Sequence, residues 1–496
     1  MEIIITAAVI IVVAHLALGL LLWFRVRNLY SYPGLLGFPV FGNLYYFYKT
    51  LFLLWMDTME KDMIDVTEKY GKDGLCFHWT YGSKPTVIVS GPQVVKEIGY
   101  HPSVSHKSDI MYRGFLNYLQ GPFTNSRSDD LWKQKRKEYN TGLKKSHIDN
   151  VFCNSFNKSA DKLIDLMLAS ASSVDTLYET ISIVQNVTLE TFIGVETSLA
   201  YDPHITNLMT VLLDIGSFIL ANPRLSGIVL TILKRIDEIV FKKIKELRNV
   251  VVEEIDRKSK SEQCYLPEQS ILTQMISRSI KCNGTKKEWN PMELKTEIQE
   301  IFATSSQTVA SALSSSIIFL AVLPEIQERA WQEQYEIFGN DKRDPSMDDL
   351  KQMAFLDRFI KESLRHVAPP FFAKLASDNI NINGITIPRG TNIVFLSRYL
   401  RMDPKYWKNP KDFDPDRFLE ESGAIKYSYA PFGIGIRSCP GMYYATALMK
   451  ITLSKIIRRL KLRPAQKGLR FEDIKYKACL MVEVENPPKL EVEERT

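Results

Sequence analysis

Apolar and polar positions follow three spacings along this chain, and each predicts a different kind of element. Residues 3–24 are almost wholly apolar, interrupted only by Thr6, His15 and Gly19. Such a run of about 22 residues, rising about 1.5 Å per residue as a helix, crosses a hydrocarbon core of roughly 30 Å. A helical period recurs over residues 133–139, 159–171, 229–258, 292–323, 324–338, 355–366 and 442–462. Pro291 and Pro324 bracket the fourth of these, at positions where proline starts or stops a helix. Short strand-like runs cover 86–90, 380–387, 392–396 and 479–485, and Asn383-Gly384 is a hairpin-turn signal. Between the first helix and the rest, Pro33, Gly34, Gly37, Pro39 and Gly42 exclude regular structure. The expected fold is mainly α with minor β sheets (α+β). An anchor and its flank occupy 1–27, a Pro/Gly-rich linker 28–43, and one large domain 44–496.

Charge orients the anchor. Glu2 precedes the apolar run, and Arg25 and Arg27 follow it, which keeps the C-terminal side in the cytosol. A cleaved signal peptide would need a basic start and small residues at its end. Here the start is acidic and the end is Trp23-Phe24-Arg25. Asn157-Lys158-Ser159, Asn186-Val187-Thr188 and Asn283-Gly284-Thr285 fit the N-glycosylation pattern, and a cytosolic domain leaves all of them unmodified.

The net charge of +6 is mild, and Lys and Arg are spread along the chain, so no nucleic-acid partner is expected. The basic cluster 133–137 reads as a solvated helix face. The six cysteines are scattered, without a CxxC pair, unlike a disulfide framework or a structural zinc site. Five of them read as small buried hydrophobes. Cys439 does not, because it ends the glycine-rich run Phe432-Gly433-Ile434-Gly435-Ile436-Arg437-Ser438-Cys439-Pro440-Gly441, just before a long helix. Glycines let a loop approach something flat and bulky. A cysteine at a helix N-terminus meets unpaired amides and the positive dipole end, which favour the iron-binding thiolate. Arg437 supplies a fixed positive charge for an anionic group.

This loop resembles the FxxGxRxCxG signature of the cytochrome P-450 superfamily, and the resemblance covers most of the chain. Glu362-Ser363-Leu364-Arg365 is similar to the family's helical ExxR, and 413–418 to its PxRF element. By resemblance Glu362, Arg365 and Arg417 form a structural lock behind the haem and are not catalytic. Trp132 and Arg136 match WxxxR, whose side chains reach the haem propionates, and Lys374 stands where many relatives carry another propionate-binding arginine. The oxygen-activating pattern [AG]-G-x-[DE]-T is altered. The matching stretch is Thr304-Ser305-Ser306-Gln307-Thr308. Thr308 keeps the catalytic hydroxyl, Ser305 replaces the glycine, and Gln307 replaces the proton-relaying acid. Segments 323–328, 337–340 and 347–351 look like the fourth family and its insect relatives. Thr304 stands where those relatives carry the glutamate that esterifies the haem, so covalent attachment is not expected.

The resemblance implies haem b (iron protoporphyrin IX) held by Cys439, with Trp132, Arg136, Lys374, Phe432, Arg437 and Gly441 around it. It implies a single-pass endoplasmic reticulum protein that inserts one oxygen atom from O₂ into a small hydrophobic substrate. Electrons would come from NADPH-cytochrome P-450 reductase, with cytochrome b5 as a second partner, docking on Lys133, Lys135, Lys137 and Lys144. Segments 103–122, 216–223, 301–308, 367–373 and 478–482 are the expected pocket. Two alternatives stay open: a reductase-independent isomerase or dehydratase, and a catalytically silent haem- or lipid-binding protein.

Overall fold

The computed structural model describes residues 32–35, 56–79, 85–108, 129–170, 173–195, 270–274, 291–382, 384–419 and 423–495. It also describes residues 6, 9, 10, 13, 14, 16, 17, 20, 21, 23, 24, 249 and 253. Most of the helix expected over 229–258, most of the 28–43 linker, residues 109–122 and 216–223 of the expected pocket, and Asn283 therefore lie outside the described residues. All the described residues between 6 and 24 are helical, and Val9, Ile10, Val13, Leu16, Leu20, Leu21 and Phe24 are exposed there.

The described helices are α1 Met56–Tyr70, α2 Pro92–Gly99, α3 Asp130–Gly142, α4 Cys153–Ala169, α5 Thr176–Thr188, α6 Pro291–Val322, α7 Pro324–Phe338, α8 Ala354–Val367, α9 Ser397–Met402, α10 Gly423–Ser428 and α11 Met442–Arg459, with shorter turns between them. The strands are β1 Gly34–Leu35, β2 Leu75–Trp79, β3 Pro85–Val89, β4 His106–Lys107, β5 Phe372–Leu375, β6 Ile380–Ile382, β7 Ile385–Ile387, β8 Asn392–Phe395, β9 Leu460–Pro464, β10 Tyr476–Ala478, β11 Val482–Val484 and β12 Leu490–Glu494. The mainly helical expectation holds for the described domain.

The strands form one mixed sheet in the order β1-β2-β3-β8-β5-β4 and three two-stranded ribbons. Alternation builds the sheet's two faces. Leu75, Phe77, Val87, Val89, Ile393 and Phe395 pack with Val94, Val95 and Ile98 of α2. Their in-between neighbours Cys76, Ile88 and Val394 pack with Met63 and Val66 of α1. The largest apolar core joins α4, α5, α6, α7, α8 and α11.

Helix α6 has 32 residues, and its Leu313, Ile317, Phe319 and Leu320 are all buried. A helix apolar on every side belongs in a core. Among the described residues only its stretch Thr304–Val322 is long and apolar enough to cross a membrane, and that stretch is 89% buried in protein. It runs antiparallel to α5, with Thr176 Oγ1 2.9 Å from Ser314 Oγ and Thr180 Oγ1 donating to Ala310 O at 3.2 Å.

Three expectations change. Residues 479–485 are not one strand: β10 and β11 form an antiparallel hairpin, with Ala478 opposite Val482. The last long helix ends at Arg459, because Leu460 enters β9 and pairs with Glu494 of β12. Asn157 and Asn186 are buried, and Asn157 Nδ2 donates to Cys153 O and Pro345 O. The fold itself closes both sequons, so a missing glycan there says nothing of topology.

Candidate functional site

The loop before α11 is folded by its own backbone. Cys439 N donates to Phe432 O at 2.8 Å, and Ser438 N to Gly435 O at 3.0 Å. Gly435 has φ +68°, and a Cβ there would meet Gly99 O at 2.8 Å. Glycine is therefore required both by conformation and by the close approach of α2. Phe432 packs on the main core, and Gly441 is the N-cap of α11. Cys439 is accessible yet surrounded by enough protein to be desolvated, which places it at the bottom of a concavity. Burial raises its thiol above the ordinary value, while the Gly441 amide and the charges of Arg136 and Lys107 pull it back without reversing the shift. The helix terminus thus assists the thiolate but does not outweigh desolvation.

Helix α3 reaches the same loop from the other side. Asp129 caps it by accepting from Trp132 N at 2.9 Å. Arg136 Nη2 donates to Ser438 O at 2.8 Å, and the Arg437 guanidinium lies 4.4 Å from the Trp132 ring centre. Trp132 is 4% exposed, and its indole N–H has no acceptor among the described residues. Lys374 is placed differently from a propionate ligand with its ammonium at liberty. Its Nζ donates to Gly99 O at 3.0 Å and to Ile434 O at 2.9 Å, clamping the cysteine loop to the sheet. Burial, with the Arg437 charge adding, lowers its ammonium to about 8. Sequence reasoning missed Lys107, which β4 brings beside the loop by pairing with Lys374 of β5. It also counted Lys135 on a solvated face, but that side chain is buried and 3.8 Å from Glu138.

Glu362, Arg365 and Arg417 come together as expected. Arg365 Nε donates to Glu362 Oε2 at 2.8 Å and Arg365 Nη2 to Oε1 at 2.8 Å. Arg417 Nε and Asp414 N also donate to Oε1, at 3.0 and 2.8 Å. Arg365 Nη1 reaches Arg401 O and Pro410 O. Burial alone would raise Glu362, but the hydrogen bonds and charges of Arg365 and His366 overcome it and hold the carboxyl at about 2. Burial lowers His366 to about 4, so it is neutral and its Nε2 accepts from Arg365 Nη2 at 2.8 Å. Tyr429, on the approach to the cysteine loop, donates to Lys361 O of α8 at 2.9 Å and ties lock to loop.

On α6, Thr308 Oγ1 donates to Thr304 O at 3.1 Å, the back-bond usual for a helical threonine. The neighbouring Gln307 Nε2 donates to Glu483 Oε1 of β11 at 3.1 Å. Of the expected pocket stretches, Phe371 and Ala373 share an apolar cluster that Leu480 packs against.

A haem suits these donors. A recessed thiol could serve as the iron ligand, and Arg136, Arg437 and the Trp132 indole N–H could meet the haem carboxylates. Comparison with known proteins agrees. Cytochrome P450 4c21 of Blattella germanica is 26% identical over 504 residues, covering 95% of each chain. Cytochrome P450 3A41 of Mus musculus is 25% identical over 461 residues, covering 89% of this chain and 88% of the relative. Cytochrome P450 4V2 of Homo sapiens reaches 33%, but only over 35% of this chain and 34% of its own. The family model for cytochrome P450 matches residues 33–491; on that span, with haem b as cofactor and monooxygenase chemistry as reaction class, this chain belongs to the cytochrome P450 family.

Proposed function

We propose that this monooxygenase acts on a small hydrophobic substrate, sits on the endoplasmic reticulum membrane by a single N-terminal helix with its domain in the cytosol, and draws electrons from NADPH-cytochrome P-450 reductase, with cytochrome b5 as a second donor. The observation that carries the reading is the Cys439 loop, whose backbone carbonyls at Ser438 and Ile434 are clamped by Arg136 and Lys374 around a recessed thiol. Bound haem supplies oxygen activation and insertion. The protein's own residues do the rest. Cys439 would provide the ligand sulfur, Trp132, Arg136 and Arg437 would hold the haem carboxylates, and Thr308 would keep a proton at Oγ1.

Exposed apolar side chains along the N-terminal helix support the anchor, and Arg25 and Arg27 after it support the orientation. Lys133, Lys137 and Lys144 are exposed and suit an acidic electron donor, for which opposite charge mainly sets the encounter rate. The test is turnover of the haem-loaded chain with NADPH and reductase against a panel of apolar compounds, recording oxygen uptake. Substrate-stimulated uptake with oxygenated product is expected. Conversion of a lipid hydroperoxide without NADPH would instead establish the isomerase reading, for which the diversion of Gln307 to Glu483 is the favouring observation.

A further inference from the structure

A buried polar seam lies beside Thr308, and nothing described so far uses it. Gln307 is 6% exposed and Glu483 8%, an uncommon depth for a carboxylate on a two-stranded ribbon. Strand register explains the placement. Lys477 of β10 lies opposite Glu483 of β11, so both side chains share one face, and β11 packs against α6. Gln307 Nε2 donates to Glu483 Oε1, while Lys477 Nζ, on a half-exposed side chain, stands 4.0 Å from Glu483 Oε2. One carboxylate oxygen thus meets the distal helix, and the other meets an ammonium group that reaches solvent.

A second observation is independent of that bond. Ser306 Oγ, Gln307 Oε1 and Ser311 Oγ are buried and have no hydrogen-bond partner among the described residues. Gln307 and Ser311 are four apart on α6, so their side chains share a face. Buried acceptors of this kind are met either by protein or by ordered water. Here no described residue meets them, although the Glu483 carboxylate stands beside Gln307.

We propose that the gap between α6 and β11 is an ordered-water site held by Gln307 Oε1, Ser311 Oγ and Glu483, and that Glu483 is a positioning residue which, through this water, supplies protons to the Thr308 side of α6. The proposal rests on the monooxygenase reading. The amide of Gln307 does not titrate near neutral pH, so it orients water, while the Glu483 carboxylate takes up a proton from the solvent side and releases it to that water. Each proton passed along the water toward Thr308 is replaced from solvent past Lys477, and Glu483 returns to its starting state.

The competing view is that the Gln307–Glu483 bond only tethers the hairpin to the helix. Glu483→Gln separates the two, because it keeps the shape and an acceptor for Gln307 Nε2 while removing the acid. Two readouts are needed: a high-resolution crystal structure of the haem-loaded chain, and the partition of NADPH electrons between product and hydrogen peroxide. Expected are a water within hydrogen-bond distance of both Gln307 Oε1 and Ser311 Oγ, and a several-fold larger peroxide share in Glu483→Gln at unchanged thermal midpoint. The double variant Gln307→Glu with Glu483→Gln returns an acid to the seam and restores coupling. A dry site in the crystal, or Glu483→Gln coupled as well as wild type, overturns the proposal. If wild type consumes no NADPH with reductase, the monooxygenase reading fails separately, because the water is seen in the crystal without turnover.

Discussion

Behind Cys439, Glu362 is fully buried and accepts from two arginines and a backbone amide. In front of it, on α6, three buried oxygens accept from no described residue. Both regions are polar and both are enclosed, so burial is not what separates them. They differ in saturation. The rear network leaves no position in which a side chain can turn, and it presents one fixed sulfur. The front network leaves acceptors available, and there the residues also depart from the family pattern, at Ser305 and Gln307. A saturated network suits a ligand that must be the same in every turnover, whereas an unsaturated one can accommodate water and substrate.

The contrast can be broken most directly at the sulfur. Cys439→Ser is expected to abolish the thiolate-type carbon monoxide spectrum of the reduced protein, because a neutral alcohol cannot replace a thiolate. Its thermal midpoint should barely move, since the Cys439 side chain lies outside the packed core. An unchanged spectrum would remove the ligand assignment. The next largest effect belongs to the lock. Glu362→Gln leaves Arg365 and Arg417 buried with diminished compensation, and denaturant unfolding should show a loss of about 3–5 kcal/mol.

The lock also sets an acid limit. Glu362 is held at about 2 against an ordinary 4.5, so its stabilisation is complete above 4.5 and is lost as pH falls toward 2. His366, buried neutral at about 4 against 6.5, adds a loss in the same direction as pH falls from 6.5 toward 4. Glu362→Gln should flatten the lower part of the stability–pH curve and keep the upper part. Equal slopes below pH 4.5 would show that other carboxylates govern acid unfolding.

Lys374→Met is a smaller test of the rear side. It leaves Gly99 O and Ile434 O without their donor and should cost about 1–3 kcal/mol. The thiolate spectrum should also decay faster on warming, and an arginine in its place should not rescue it, because the pocket fits a compact ammonium. The smallest effect on stability belongs to the front. Thr308→Ala removes a hydroxyl whose one described bond is to Thr304 O in its own helix, so stability should stay within about 0.5 kcal/mol. The peroxide share should nevertheless rise, because a lost acid–base contribution slows a step by about 10²–10⁴-fold. Equal coupling would make Thr308 a packing residue.

The rear side was legible in the sequence because its partners are close along the chain. Glu362 and Arg365 are three apart on one helix, and Phe432 to Gly441 is one uninterrupted loop. Helix α7 runs from Pro324 to Phe338, the span its helical period predicts. What escaped the reading is what depends on distant strands. Glu483 is 176 positions from Gln307, and no local pattern announces that pairing. Lys374 looked like a ligand for an anion because carbonyl partners at Gly99 and Ile434 cannot be inferred from its neighbours. The direction of the Cys439 shift was missed for another reason. Dipole and charge can be read from spacing, but desolvation depends on how much protein the fold gathers around the sulfur.

Helix α6 has a consequence in time as well as in space. Its Thr304–Val322 stretch has a mean hydropathy of 1.3 and is apolar enough for a bilayer, yet much of what covers it, including α8, α11 and the β10–β11 hairpin, lies later in the chain. If the chain is made on a membrane-bound ribosome, this segment emerges before those partners exist and could be drawn into the bilayer in their place. Its serines, most of them buried once the domain is folded, then have an earlier use: they keep a core helix just polar enough to wait for its own protein.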